Sequence, residues 1–476
     1  MKSTIIYISL FLGLVLNLPF NLDAQDFQMY NMNQVVQRNK LNPAFSIDAS
    51  VFAGFPLTSS TMVSYQNSGF TYSDLLKKDA TDSLYLDIEN AISKMDQQNN
   101  IHTEISNDIV WFGLNFGKNT ITVNVTDKAV LDFSYTKSMM EFLYYGNGGF
   151  NGNTGNINPG IEGSHYREHG ITWTRKLKKN ISAGIRIKYL YGMEHIHSEG
   201  AGANLYTDPN DYTLYGYSDY ALFTAGISEN SFDDFSAGNY LIKKKNHGYG
   251  VDVGLNINAT EKVELSVSML DIGQISWKDE VVIYSTHTTD GPVVYQGIDL
   301  DEFINNGYSS EAYLENLGDS LYEAFDIQES TDTFKRAIPK QMYAGANYII
   351  GEKSKTGIVL HLRETPSKTV LNYHVHYTSA IKDWLNFSLG YSSINNSQGN
   401  VGASLVFNFK GGQMYFTSDN ILGMINYKNA NVTGFRAGFN FIFKKKEEST
   451  PKELLPQTND ITVDHGNIPT PEVLEK

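Results

Sequence analysis

Residues 181–191, ISAGIRIKYLY, decide the fold. Ile181, Ala183, Ile185, Ile187, Tyr189 and Tyr191 share one face of an extended chain, because successive side chains of a strand point to opposite sides. Ser182, Gly184, Arg186 and Lys188 share the other face, with Leu190 as the exception. The same division runs through 249–257 (YGVDVGLNI), 401–409 (VGASLVFNF, broken at Val406) and 433–443 (TGFRAGFNFIF). Alternation alone also fits a soluble antiparallel sheet. Length separates the two. These runs reach the ~9–11 residues that a tilted strand needs to cross a bilayer, whereas soluble strands average ~5–6. Tyr and Phe gather near the ends of the runs, as in an aromatic girdle at the headgroups. The opposite face of Gly, Ser, Asn and charge suits a wet or plugged interior.

Spanning strands are expected near 59–68, 106–116, 120–134, 162–176, 180–194, 247–257, 261–270, 339–350, 355–364, 368–379, 384–392, 399–409, 411–418 and 432–443. Every second connection is short: 117–119, 177–179, 258–260, 351–354, 380–383 and 410. Four of the others are long, at about 69–105, 135–161, 195–246 and 271–338. Short turns on one side of the membrane and long loops on the other are the habit of outer-membrane barrels, and an even strand number returns both chain ends to the short-turn side. The fold class is therefore all-β: one transmembrane antiparallel β-barrel of about 14 strands, within a range of 12–16. Helical spacing appears in two long loops, at 84–95 and 308–325, and 275–288 reads as a further strand rising beyond the membrane.

Composition excludes other classes. The 476 residues include no Cys, which removes disulfide scaffolds and thiolate metal sites, and a net charge of -15 repels nucleic acid. Residues 1–24 read as a signal peptide: Lys2 is followed by an apolar core over 5–18, too short for the ~20 residues of a membrane helix. Residues 25–57 are too polar to span and too long for a loose start, and are expected to tuck into the lumen or beneath it, with 50–55 as a short strand. The barrel follows over 58–443 and ends on Phe443, the aromatic terminus of a barrel-assembly signal. The tail, 444–476, carries five Lys, seven acids and four Pro, and is expected to be disordered in the periplasm.

Three motifs stand in a recognisable order: Asn42-Pro43-Ala44-Phe45; Asn67-Ser68-Gly69-Phe70 followed by Ser73-Asp74-Leu75; and Tyr415-Phe416-Thr417-Ser418-Asp419-Asn420. Over about residues 25–443 the chain resembles a family of Bacteroidota outer-membrane barrels known as a domain of unknown function. It is more distantly similar to the PorP/SprF proteins of type IX secretion and to FadL-like barrels. The resemblance implies an outer-membrane barrel and brings no catalytic residue with it.

The most concentrated chemistry is His361, Arg363, Asn372, His374 and His376. His374 and His376 share a face opposite Leu371, Tyr373, Val375 and Tyr377, so they should point to the lumen, and the turn after Glu364 should bring His361 beside them. Three imidazoles (His361, His374 and His376) are candidate zinc or copper ligands, or one a general base. The plainer reading, a hydrogen-bonded polar lumen, carries more weight, because lumen faces are polar by default. His195 and His197 fall where a strand leaves the membrane and read as loop residues. No G-x-S-x-G occurs, and Gly146–Gly155 (GNGGFNGNTG) lacks the Lys-Ser/Thr of a phosphate loop. No enzyme, catalytic residue, metal or cofactor is expected. The expected partners are outer-membrane lipid, the barrel-assembly machinery and a periplasmic or surface protein, with no nucleic acid. Large loops and a tail beyond what conduction needs favour a structural or partner-binding component of a surface export, adhesion or assembly system. The alternative is a FadL-like or porin-like conduit for small or hydrophobic solutes.

Overall fold

Each of these strands has one face that must leave water, and a sheet closed on itself buries the polar face while sparing every main-chain group an unpaired edge. A computed structural model describes residues 26–150, 152–227, 245–288, 291–296, 322–364, 369–394 and 397–443. Among them, fourteen wall strands close into an antiparallel barrel. In chain order they are β1 (Val51–Gly54 and Thr61–Asn67), β2 (Gln98–Phe116), β3 (Asn119–Thr136), β4 (Gly160–Lys178), β5 (Ile181–Thr207), β6 (Asn246–Asn258) and β7 (Val263–Trp277). They continue as β8 (Gln341–Ile350), β9 (Ser354–Glu364), β10 (Thr369–Lys382), β11 (Leu385–Ile394), β12 (Ser397–Phe409), β13 (Gly412–Ser418) and β14 (Val432–Phe443). β14 closes on β1, with Val51 opposite Phe443 and Thr61 opposite Ala437.

The wall begins at Val51 rather than 58. β1 is one strand in two halves, interrupted by an excursion that stays tied to β14 through Phe55 N–Phe439 O at 3.0 Å and Phe439 N–Thr58 O at 2.9 Å. The signal peptide expected at 1–24 and the tail after Phe443 lie outside the described residues, as does the greater part of the helical loop at 308–325. The other helical loop holds Ile88–Lys94, capped by Asp87. Several strands outgrow the wall on the long-loop side. β5 runs to Thr207 and pairs there with Leu214–Ala225, which pairs in turn with Val281–His287. The strand expected at 275–288 is thus the top of β7 followed by Val281–His287.

The two faces fall as the alternation requires. Ile185 and Ile187 are exposed on the outside, whereas Arg186 and Lys188 are buried inside. Leu190 and Val406, the two exceptions to the pattern, also point inward, where they join the apolar clusters of the interior. Val406 packs there on the N-terminal segment, whose Phe27, Met29, Tyr30, Met32, Val35, Leu41 and Phe45 are all buried.

Replacing Ile187, 61% exposed on the outer face, by Arg should cost ~2–4 kcal/mol if that face meets hydrocarbon. Urea titration of the protein in lipid vesicles measures it. A soluble sheet would tolerate the change within experimental error.

Candidate functional site

The interior is closed by residues 26–49, and the way they are held defines the site. The segment forms α1 (Phe27–Asn31), a 3-10 turn over Val36–Lys40 and an irregular descent to β1. Its main-chain hydrogen bonds outside the helix, such as Arg38 N–Val35 O and Phe45 N–Asn42 O, fall within the segment, and strand pairing begins only at Ser50, whose N–H donates to Phe443 O. The plug is therefore attached to the wall by side chains rather than woven into the sheet.

Asn42 is its lower pin. Its Nδ2 donates to Val267 O at 3.1 Å and Leu255 O at 3.3 Å, and its Oδ1 accepts from Ala44 N at 2.9 Å. The wall makes room by omission. A Cβ on Gly184 would lie 2.0 Å from Pro43 O, and one on Gly254 would lie 2.0 Å from Asn42 Oδ1. Thr174 Oγ1 and Ser182 Oγ donate to Pro43 O and Ala44 O. Phe45 meets Tyr30 edge-on and lies under the Arg38 guanidinium at 3.7 Å.

The upper end is held by charge. Arg436 grips Asp26 through Nε and Nη2 at 2.7 and 2.6 Å, a bidentate pair. Asp419 accepts from Phe27 N at 3.1 Å and Gln28 N at 2.9 Å. Between the two ends, Lys40 reaches Asp108 at 2.6 Å, Gln37 reaches Asn440 at 2.6 Å, and Arg186 donates to Asn39 O at 2.8 Å. Burial pushes the Asp419 carboxyl up to about 7; the two amide bonds pull against this and the neighbouring Asp26 adds to it.

Beside the plug lies a polar cavity of about 60 Å³, lined by Lys40, Lys128, Arg186 and Lys188 against Glu104, Glu168, Asp252 and Asp271. Lys188 contacts Asp252 at 2.7 Å and also Asp271, while Lys128 faces Asp271 at 3.5 Å. Buried charges persist only when paired, since removing one partner strands the other at a cost of ~3–5 kcal/mol. Charges of both signs line this cavity.

The five residues singled out in the sequence all face the lumen and are buried. His361 sits opposite Asn372, as the β9–β10 pairing requires. They do not form one centre. Phe27 of the plug stacks on His374 at 5.1 Å and meets His361 edge-on at 6.2 Å. His361 Nε2 is engaged with Gln341 at 3.1 Å, and Arg363 turns away to Asp132 at 2.8 Å and His102 at 2.9 Å. His374 and His376 lie parallel, with centroids 5.7 Å apart. Among the described residues no group of three His, Cys, Asp or Glu converges on a metal position. Phe443 ends β14, opposite Val51. His195 and His197 are not loop residues: β5 continues past them, and both are buried on its inner face. The reading of the sequence missed Asp26, Lys40, Asp108 and Asp419. Arg186 and Arg436, long cations on a face otherwise built of small neutral residues, were the available signal.

Residues 43–419 match DUF5723, a family of unknown function, and the chain belongs to that family. No curated protein matches it. Among solved structures the chain is similar to the Pseudomonas putida toluene transporter TodX, at 9% identity and TM-score 0.38, over 85% of this chain and 93% of that one. It is also similar to a Pseudomonas aeruginosa FadL homologue, at 9% identity and TM-score 0.40, over 90% and 99%. A third likeness is to the translocator domain of the autotransporter NalP from Neisseria meningitidis, at 7% identity and TM-score 0.27, over 83% and 89%.

Asn42→Ala should destabilise plug docking by ~1–3 kcal/mol, because two wall carbonyls lose their donor. Limited proteolysis within 26–49 should accelerate while the wall stays resistant; unchanged cleavage would deny the pin. The raised Asp419 carboxyl gives a second test. The stability it contributes is complete below the ordinary value of 3.8 and is lost as pH rises through about 7. Hydrogen exchange at 27–31 should speed up across that window, and Asp419→Asn should flatten the dependence.

Proposed function

We propose that this protein is an outer-membrane conduit for small solutes with apolar parts, gated by its own N-terminal segment. The observation that carries the reading is that the lumen is closed by a separate stretch of chain held through side-chain contacts. A barrel serving only as an anchor has no need of a closure that can be released one hydrogen bond at a time. Above the plug, towards the long loops, the lumen turns aromatic: Tyr166, Leu190, Ile275, Trp277 and Ile338 pack together, with Phe334 against them. A solute passing this level would meet an apolar lining, which favours an apolar body over simple ions.

A second reading, the partner-binding component, is favoured by the paired strands that stand above the wall and by exposed Tyr212, Tyr217 and Val294 among them. It does not account for the plug.

Planar-bilayer recording on the purified protein tests the gate. Wild type should be closed or open only briefly, and Asp26→Asn, which strands the buried Arg436 guanidinium, should raise the open fraction at least about tenfold, since an uncompensated buried charge costs more than about 1.4 kcal/mol. Silence in both proteins, together with recovery of a specific surface or periplasmic protein on pull-down, would favour the second reading.

A further inference from the structure

Above the wall, on the long-loop side, four strands form a sheet of their own. Thr154–Ile157 pairs with the top of β5, β5 pairs with Leu214–Ala225, and the first residues of that strand pair with Val293–Tyr295. Alternation divides the side chains between two faces. On one face Gly155, Leu205, Thr207, Gly216 and Ser218 are buried. The ring of Phe325 lies against it, 3.3 Å from where a Cβ on Gly216 would stand.

The other face is open. Tyr215 stands opposite both Tyr206 and Val294, and Tyr217 stands opposite Asn204. The Tyr206 and Tyr215 rings lie 6.2 Å apart. Tyr217 is 49% exposed and Val294 52%. Asp219 continues the tyrosine row on the same strand and is exposed. Its one ion pair is with His287 at 3.3 Å, an exposed contact that a stronger cation replaces at little cost. Asp208 and Asp211 turn the hairpin at the end of the row, where they accept from Asn210 N and Thr213 N of the turn itself.

The surroundings are acidic. Over 199–227, 279–288, 291–296 and 322–337 ten carboxylates stand against two cations, Lys335 and Arg336. Arg336 is already held by Glu162 and Glu199. The field of such a region attracts cations and repels anions. A guanidinium or ammonium group finds both of its preferred partners there, a ring face to lie on and a carboxylate to pair with. A neutral ligand would use the rings and gain nothing from the charge.

We propose that this open face docks a basic segment of another protein, whose Arg or Lys side chains lie on Tyr215 and Tyr217 and pair with Asp211 and Asp219. The docking depends on this sheet alone and holds whether or not the lumen conducts.

The test is fluorescence anisotropy of a labelled Arg-Gly repeat peptide with the full-length protein in lipid nanodiscs. A Glu-Gly repeat of equal length and maltoheptaose serve as the other ligands, and heat-modifiable gel mobility establishes that each variant is a folded barrel. The Arg peptide should bind saturably and the other two should not. Tyr215→Ala combined with Tyr217→Ala should weaken binding about tenfold, the loss of two exposed cation–π contacts. Asp211→Asn combined with Asp219→Asn should weaken it and also lessen its dependence on salt. Glu323→Gln combined with Asp326→Asn removes the same charge beside Phe325, behind the covered face, and should have the smaller effect. Equal losses in the two acid pairs, with none in the tyrosine pair, would reduce the binding to the general field and overturn the proposal. Failure of the folded wild type to bind the Arg peptide, or binding of maltoheptaose in its place, overturns it as well.

Discussion

A wall of fourteen strands satisfies its main chain and leaves an interior that its own side chains do not fill. That constraint organises the molecule. Small barrels pack their cores with inward side chains, whereas wider ones enclose water or a plug. Here the inward face is built largely of Gly, Ser, Thr and Asn, residues too short to meet across the lumen, and the N-terminal segment supplies the missing volume. Phe27, Met29, Tyr30 and Phe45 fill the centre against Tyr343, Val359, Val406 and Tyr415 of the wall. Each such apolar side chain contributes ~1.5–3 kcal/mol when taken from water. Closure of the sheet and closure of the lumen are thus separate achievements, made by different parts of the chain.

The division explains the character of the contacts. Between neighbouring strands the ladder is regular and local. Between plug and wall the bonds join residues far apart in sequence, as in Asp26–Arg436 or Gln37–Asn440, and they are made by side chains. Glycines at 184 and 254 let the main chain of residues 42–44 come closer to the wall than any other residue would permit. Displacing a segment held in this way would leave the strand pairing intact, which is what the proposed gate requires.

The wall was legible because period-two alternation and connection length are local signals. Both survive in a single sequence, and strands expected near 399–409 or 432–443 fall close to β12 and β14. The motifs behind the family resemblance also acquire physical meaning. Asn42 pins the plug, Asn67 Oδ1 accepts from Gly69 N and Tyr135, and Asp419 caps α1 while Asn420 caps the helix Ile421–Ile425. What could not be read were pairings across the lumen. Nothing near Arg436 announces Asp26, and the lumen cluster of histidines looked like a centre because its strands are adjacent. Phe27, more than three hundred residues away in sequence, divides it. The extension of β5 was missed because Gly200 and Gly202 interrupt the pattern, while pairing with Leu214–Ala225 carries the strand past them.

The central claim is that residues 26–49 occupy the lumen and must shift for it to open. The chain has no Cys, so a single engineered pair reports on it: Ala44→Cys with Ser182→Cys, where the Ser182 hydroxyl now lies 2.8 Å from Ala44 O. In membranes the pair should oxidise to an intramolecular disulfide that abolishes openings in a bilayer, and reduction should restore them. Failure of the two cysteines to join, or channel activity indifferent to the bond, would contradict the account.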